Sequence, residues 1–222
     1  MRELAETFWR RSGMVPGTGV RVIRAAVEAG LPVSVVEAAA LTPDVVGGVL
    51  RRIGVDVSAG SDVSGGEPLH GALFAQRGKA VLFVRSTDPP AQQRFTLAHE
   101  AAHFLLHHEA VRAAAVDVAG VAILEVLDGD RPPTTAERLT GVLTATAIGP
   151  HVHLMRADGE HRAEGQADAL ALELLAPRHL RHGLTPREVA ERFGIPEACV
   201  PGGPVDDPVV TWARDVLVGG GS

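Results

Sequence analysis

The 222-residue sequence has no tyrosine, and its two tryptophans and six phenylalanines bring the aromatic share to only 4%. Its core must therefore be packed mainly with Ala, Val and Leu, and no step of any reaction can use a phenolic hydroxyl. The single cysteine, Cys199, excludes an internal disulfide framework and a thiolate-cluster metal site. It reads as a small buried apolar residue. No apolar run approaches the roughly 18 residues of a membrane span. The opening MRELAETFWRR puts acids and arginines where a secretion signal needs an apolar stretch. An excess of positive charge is also missing: 21 Lys and Arg face 27 Asp and Glu, for a net charge of −6. A binder of the phosphate backbone normally shows a basic face. These absences give the expectation of a cytoplasmic protein with no direct nucleic-acid and no membrane contact.

What is present suits one domain with a small appendage, since 45% of the residues are apolar and the length can bury a real core. We expect an N-terminal helical region over 1–56, a central core over 57–177 and a small C-terminal helical extension over 178–222. Val20, Ile23, Val27 and Leu31 recur at helical spacing and Pro32 closes that segment. Val35–Leu41 reads as a second helix. A third follows Thr42-Pro43, an N-cap with a first-turn proline. Phe8 and Trp9 make an amphipathic start that docks on the core. Two apolar runs, Leu69–Ala75 and Ala80–Arg85, flank Gln-Arg-Gly-Lys, the pattern of a β-hairpin with Gly78 at positive φ. Helices are expected over Gln92–His108, Ala114–Leu127, Ala136–Ile148, Glu160–Leu175, a short segment from Thr185-Pro186, and Asp206–Val218. His151–Met155 is a short strand. The fold class is α+β, a mostly helical body with a small sheet beside the helix at Gln92–His108.

That helix carries the chemistry. Within RFTLAHEAAHFLLHH stands His99-Glu100-Ala101-Ala102-His103, a His-Glu-x-x-His motif. Residues four apart share a helical face, so His99 and His103 can bring two imidazole nitrogens to about 2.0–2.1 Å from one Zn²⁺. Glu100, one position round, can reach an attacking water as general base. A catalytic zinc wants a third protein ligand. Glu164 can supply it from EGQADALALELLAP, with Asp168 one turn on accepting a hydrogen bond from a ligand imidazole. Glu160 and His161 are rival ligands one turn earlier, and an ordinary acidic first turn explains the same residues. His151 and His153 share one strand face. With His70 they are candidates to stabilise an oxyanion, though surface histidines fit equally well. Arg94 either pairs with an acid near the site or lies on a solvated face. LTPREVAERFGIPEACV resembles half a helix-turn-helix without a basic recognition helix, which favours a packing or docking element.

Together, RFTLAHEAAHFLLHH and EGQADALALELLAP resemble the ImmA/IrrE family of metallopeptidases over about Leu69–Pro177. The resemblance implies zinc held by His99, His103 and Glu164, with Glu100 as catalytic base. It also implies a zinc endopeptidase acting on a regulatory protein, a helix-turn-helix repressor of the xenobiotic-response type encoded nearby, in control of stress-response or mobile-element genes. Ala102 replaces the family's usual glycine, Leu170 its usual phenylalanine, and Ala176 stands in its L-L-M-P segment. The long spacer over 104–163 adds helical material that could reshape substrate access. The alternative is a metallopeptidase-like binding module that sequesters a repressor or antitoxin without cutting it.

Overall fold

The computed structural model describes residues 1–17, 19–55, 65–140, 143, 150–156 and 165–201. Helices α1 (Arg2–Ser12) and α2 (Val20–Gly30) come first, followed by strand β1 (Val33–Ala38) and helix α3 (Pro43–Arg52). The hairpin β2 (Leu69–Gln76) and β3 (Lys79–Arg85) leads into α4 (Pro90–His103). A π-helical turn over Phe104–Glu109 links α4 to α5 (Ala110–Ala119), and α6 (Ile123–Leu127) and α7 (Thr135–Leu139) follow. Strand β4 (His151–Arg156) precedes α8 (Gly165–Leu175), α9 (Arg178–Arg181), α10 (Pro186–Phe193) and a 3₁₀ turn at Glu197–Cys199. The fold is α+β, as expected.

The four strands form one mixed sheet in the order β1-β3-β2-β4. The hairpin turns on Arg77 and Gly78, both at positive φ (53° and 73°), the two-residue connection whose twist matches that of the strands. β1 corrects the reading of Val35–Leu41 as a helix. Pro32 ends α2, and Val33, Val35 and Val36 run parallel to β3 with Val33 opposite Ala80 and Ala38 opposite Arg85. β-branched side chains at these positions favour the pleated conformation once a partner strand is available. Sequence periodicity gives no view of that partner.

Each face of the sheet has its own core. Leu73 and Ala75 of β2, Leu82 and Val84 of β3, and Met155 of β4 join the larger cluster with α1, α2, α4 and α8. Leu69, Ala72, Phe74 and Phe83 pack on the other face against Leu41, Val46 and Leu50 around α3. Thr42 caps α3, its hydroxyl accepting the Val45 N–H. Phe8 and Trp9 dock α1 in the larger core, and the Trp9 indole N–H donates to the Leu174 carbonyl at 3.1 Å. Val189, Phe193, Ile195 and Val200 join the same core, so the segment that resembles half a helix-turn-helix packs against the body.

Two further helical expectations need correction. Ala114–Leu127 is interrupted at Gly120 (φ 79°), which caps α5 before α6 begins. Gln92–His108 changes at Phe104 from α to π geometry. Most of Ala136–Ile148 beyond α7, the first residues of Glu160–Leu175 and all of Asp206–Val218 lie outside the described residues.

Candidate metal centre

The centre is built on α4, whose residues from Arg94 to His103 are all buried. Helix α8 packs along α4 on one side, and β2 and β3 cover it on another. The close approach of sheet and helix depends on Gly71. A Cβ at that position would lie 2.3 Å from Thr96 Cγ2 and 3.1 Å from Glu100 Oε1. Glycine inside a strand marks such an approach. This was the one signal in the sequence for a residue that the motif alone does not reveal.

One turn of α4 sets His99 and His103 side by side, with their Nε2 atoms 3.1 Å apart and ring centres 4.7 Å apart. Strand alternation sends His151, His153 and Met155 of β4 to the face toward α4, while Val152 and Leu154 pack on the opposite core. His153, opposite Leu73 of β2, reaches the two helical histidines. The three rings offer ligand atoms that all lie within 4.8 Å of one another. His99 and His103 are buried and His153 is half-buried. Such a set of imidazoles converging in a largely buried site could hold a divalent metal.

The carboxylates around this group are placed differently. Asp168 Oδ1, on the first turn of α8, lies 2.9 Å from His99 Nδ1, an ion-pair distance without the alignment of a hydrogen bond. Glu100 is fully buried. Its Oε2 lies 2.9 Å from His153 Nδ1, and its Oε1 has no hydrogen-bond partner among the described residues. An isolated buried carboxylate oxygen is costly to keep unpaired, so this atom sits where a polar guest would be welcome. Among the candidate third ligands, Glu164, Glu160 and His161 lie outside the described residues.

The other candidates are spread more widely. His151 lies further out, its ring centre 6.0 Å from that of His107 and 6.5 Å from that of His103. His70 sits at the irregularity between Leu69 and Gly71. Its Nδ1 is 2.6 Å from Asp88 Oδ2, and Arg85 Nε donates to Asp88 Oδ1 at 2.6 Å. His70 thus belongs to an ion-paired group at the entry to α4 and not to the three-histidine group. Arg94 fits neither sequence reading. It is buried to 1% exposure and donates to the carbonyls of Gly19 and Leu175 at 3.2 and 3.4 Å. Burial pushes its guanidinium down to about 10, still charged at neutral pH. Arg94 therefore ties the start of α2 to the end of α8, and it pairs with no acid among the described residues.

A helix carrying His-Glu-x-x-His beneath a small mixed sheet is the arrangement of a metallopeptidase-type domain. Residues 52–119 match the family model for Peptidase M78, the IrrE N-terminal-like domain, which supports the resemblance of this segment to the ImmA/IrrE metallopeptidases. The match takes in the hairpin, α4 and α5, and ends before β4 and α8. No curated protein matches the chain, and no solved structure does.

Proposed function

We propose that this chain is a zinc-dependent endopeptidase whose substrate is a regulatory protein, a helix-turn-helix repressor of the xenobiotic-response type. The observation that carries this reading is the convergence of His99 and His103 Nε2 at 3.1 Å beside the buried Glu100. A pure binding module needs no base at that position. The donors fit the metal that the family implies. His99 and His103 would hold it, and Glu164, which follows the family motif, would complete the set from the residue before α8. Asp168, 2.9 Å from His99 Nδ1, would fix the His99 tautomer by accepting the Nδ1 N–H once the two groups align, with Nε2 turned to the metal. A divalent metal bound there supplies a Lewis acid for the scissile carbonyl and lowers the pKa of water.

Glu100 takes the proton of the attacking water and returns it to the leaving amine, a task suited to a carboxylate in a dry site. His151, further out on the same face of β4, is the candidate to stabilise developing negative charge on the carbonyl oxygen. β4 is an edge strand of the sheet, so an extended substrate segment can add alongside it beside the reacting groups. A cytoplasmic location and control of stress-response or mobile-element genes complete the reading. Among the described residues, no helix is long and apolar enough to cross a membrane.

The test combines metal content with cleavage. Purified wild type should carry about one zinc per chain, sharply reduced in His99→Ala and Glu164→Ala. Incubation with a repressor encoded beside its gene should yield fragments, and Glu100→Gln should lose at least about 100-fold in rate. Glu100→Gln cutting at the wild-type rate would remove the proposed base. Repressor bound but left intact by metal-loaded wild type would favour the sequestering module instead.

A further inference from the structure

We infer that His153 is itself a metal ligand, an imidazole donated by the edge strand β4 in addition to the two on α4. The inference rests on the metal reading above and concerns this chain's own donor set. Two imidazoles bound to one tetrahedral metal at about 2.0–2.1 Å have ring centres roughly 5 Å apart. His99 and His103 stand at 4.7 Å and His99 and His153 at 5.4 Å, both close to that spacing. The ligand atoms of all three lie within 4.8 Å of one another.

The outer nitrogens support the same assignment. A ligating histidine usually gives its second ring N–H to a carboxylate, which fixes the tautomer and leaves the other nitrogen for the metal. His99 has Nδ1 2.9 Å from Asp168 Oδ1, and His153 has Nδ1 2.9 Å from Glu100 Oε2. The His153–Glu100 contact is a hydrogen bond, while His99 and Asp168 stand at an ion-pair distance without that alignment, so it is on His153 that a carboxylate engages Nδ1 and makes Nε2 the ligating atom. Glu100 retains Oε1 for water. The remaining pair is tighter: His103 and His153 stack at 3.8 Å with an 18° interplanar angle. Metal entry therefore has to part these two rings. A third imidazole also shifts the preference of the site toward zinc and cobalt over manganese, which suits carboxylate and water ligands.

The test uses the full chain with zinc, cobalt and manganese as probes, and compares wild type with His153→Ala and His153→Phe. The phenylalanine keeps a ring packed against His103 while removing both nitrogens. Zinc affinity, measured by competition with a chelator, should fall at least about tenfold in both variants. The visible bands of the cobalt-loaded protein should change shape and intensity, and the preference over manganese should narrow. Circular dichroism and a cooperative melt show that the variants are folded. Wild-type affinity and an unchanged cobalt spectrum in both variants, with metal lost from His99→Ala, would overturn this inference and leave the metallopeptidase reading standing. A wild-type chain that takes up neither zinc nor cobalt would overturn both.

Discussion

At the scale of single residues, the centre depends on groups that the motif does not contain. Gly71 is the clearest. Its missing side chain lets β2 lie against Thr96 and Glu100, and Gly71→Ala would force Thr96 and the Glu100 carboxylate aside. We expect a loss of about 1–3 kcal/mol in stability, read from urea midpoints, together with weakened zinc binding. Gly65→Ala makes a poor control because that glycine has φ 123°, whereas Gly48→Ala meets nothing within 4 Å and should keep both properties. His108 gives a pH signature. It accepts the Gly78 N–H at 3.0 Å, and burial pushes its pKa down to about 4. The unfolded ring titrates near the usual 6.5, so between these values the unfolded chain binds more protons. The stability owed to neutral His108 is complete above about pH 6.5 and is lost as the pH falls toward 4. Equilibrium unfolding of wild type and His108→Gln across this window should show their difference shrinking with acidity, and a constant difference would remove His108 as the titrating group. The spacing of His99, Glu100 and His103 was plain in the sequence because helical geometry acts within one turn. The partnership of His153 with Glu100 was not, because it depends on two strands pairing over a long stretch of chain.

At the scale of elements, those that carry their own end signals were legible. Thr42-Pro43 starts α3, Gly78 turns the hairpin, and Thr185-Pro186 starts α10. The Thr185 hydroxyl accepts the Glu188 N–H at 3.3 Å while Glu188 accepts the Thr185 N–H at 2.7 Å, a reciprocal cap. Thr185→Ala should cost about 1 kcal/mol in a urea titration and Thr185→Ser almost nothing. An equal loss in both would point to the methyl group and not the cap. β1 escaped the same reading because its valines satisfy helical spacing as well as strand spacing, and only the neighbouring β3 decides between them. The π turn after His103 also escaped, since nothing local in FLLHHE distinguishes one extra residue in a turn. Its effect is to reset the helix phase between the face of α4 that carries His99 and His103 and the helices that follow.

At the scale of the whole molecule, the larger core gathers residues from Ala5 to Val200, and that continuity has a consequence for synthesis. Helix α1 is synthesised well before α8, yet the surface that accepts Phe8 and Trp9 includes α8, whose Leu174 carbonyl receives the Trp9 indole N–H. Helix α1 must therefore wait for α8 before its aromatic face is covered. The hairpin and α4 can assemble early, because their contacts are close in sequence and cheap to close. Nascent chains arrested before residue 165 should therefore expose α1 to added protease, and chains extended beyond residue 201 should protect it. Protection already present in the shorter chains would mean that α2 and α4 alone suffice to seat Trp9. During that interval the Phe8-Trp9 pair lies uncovered, so a helix remote in sequence from His99 and His103 governs how safely the chain is made.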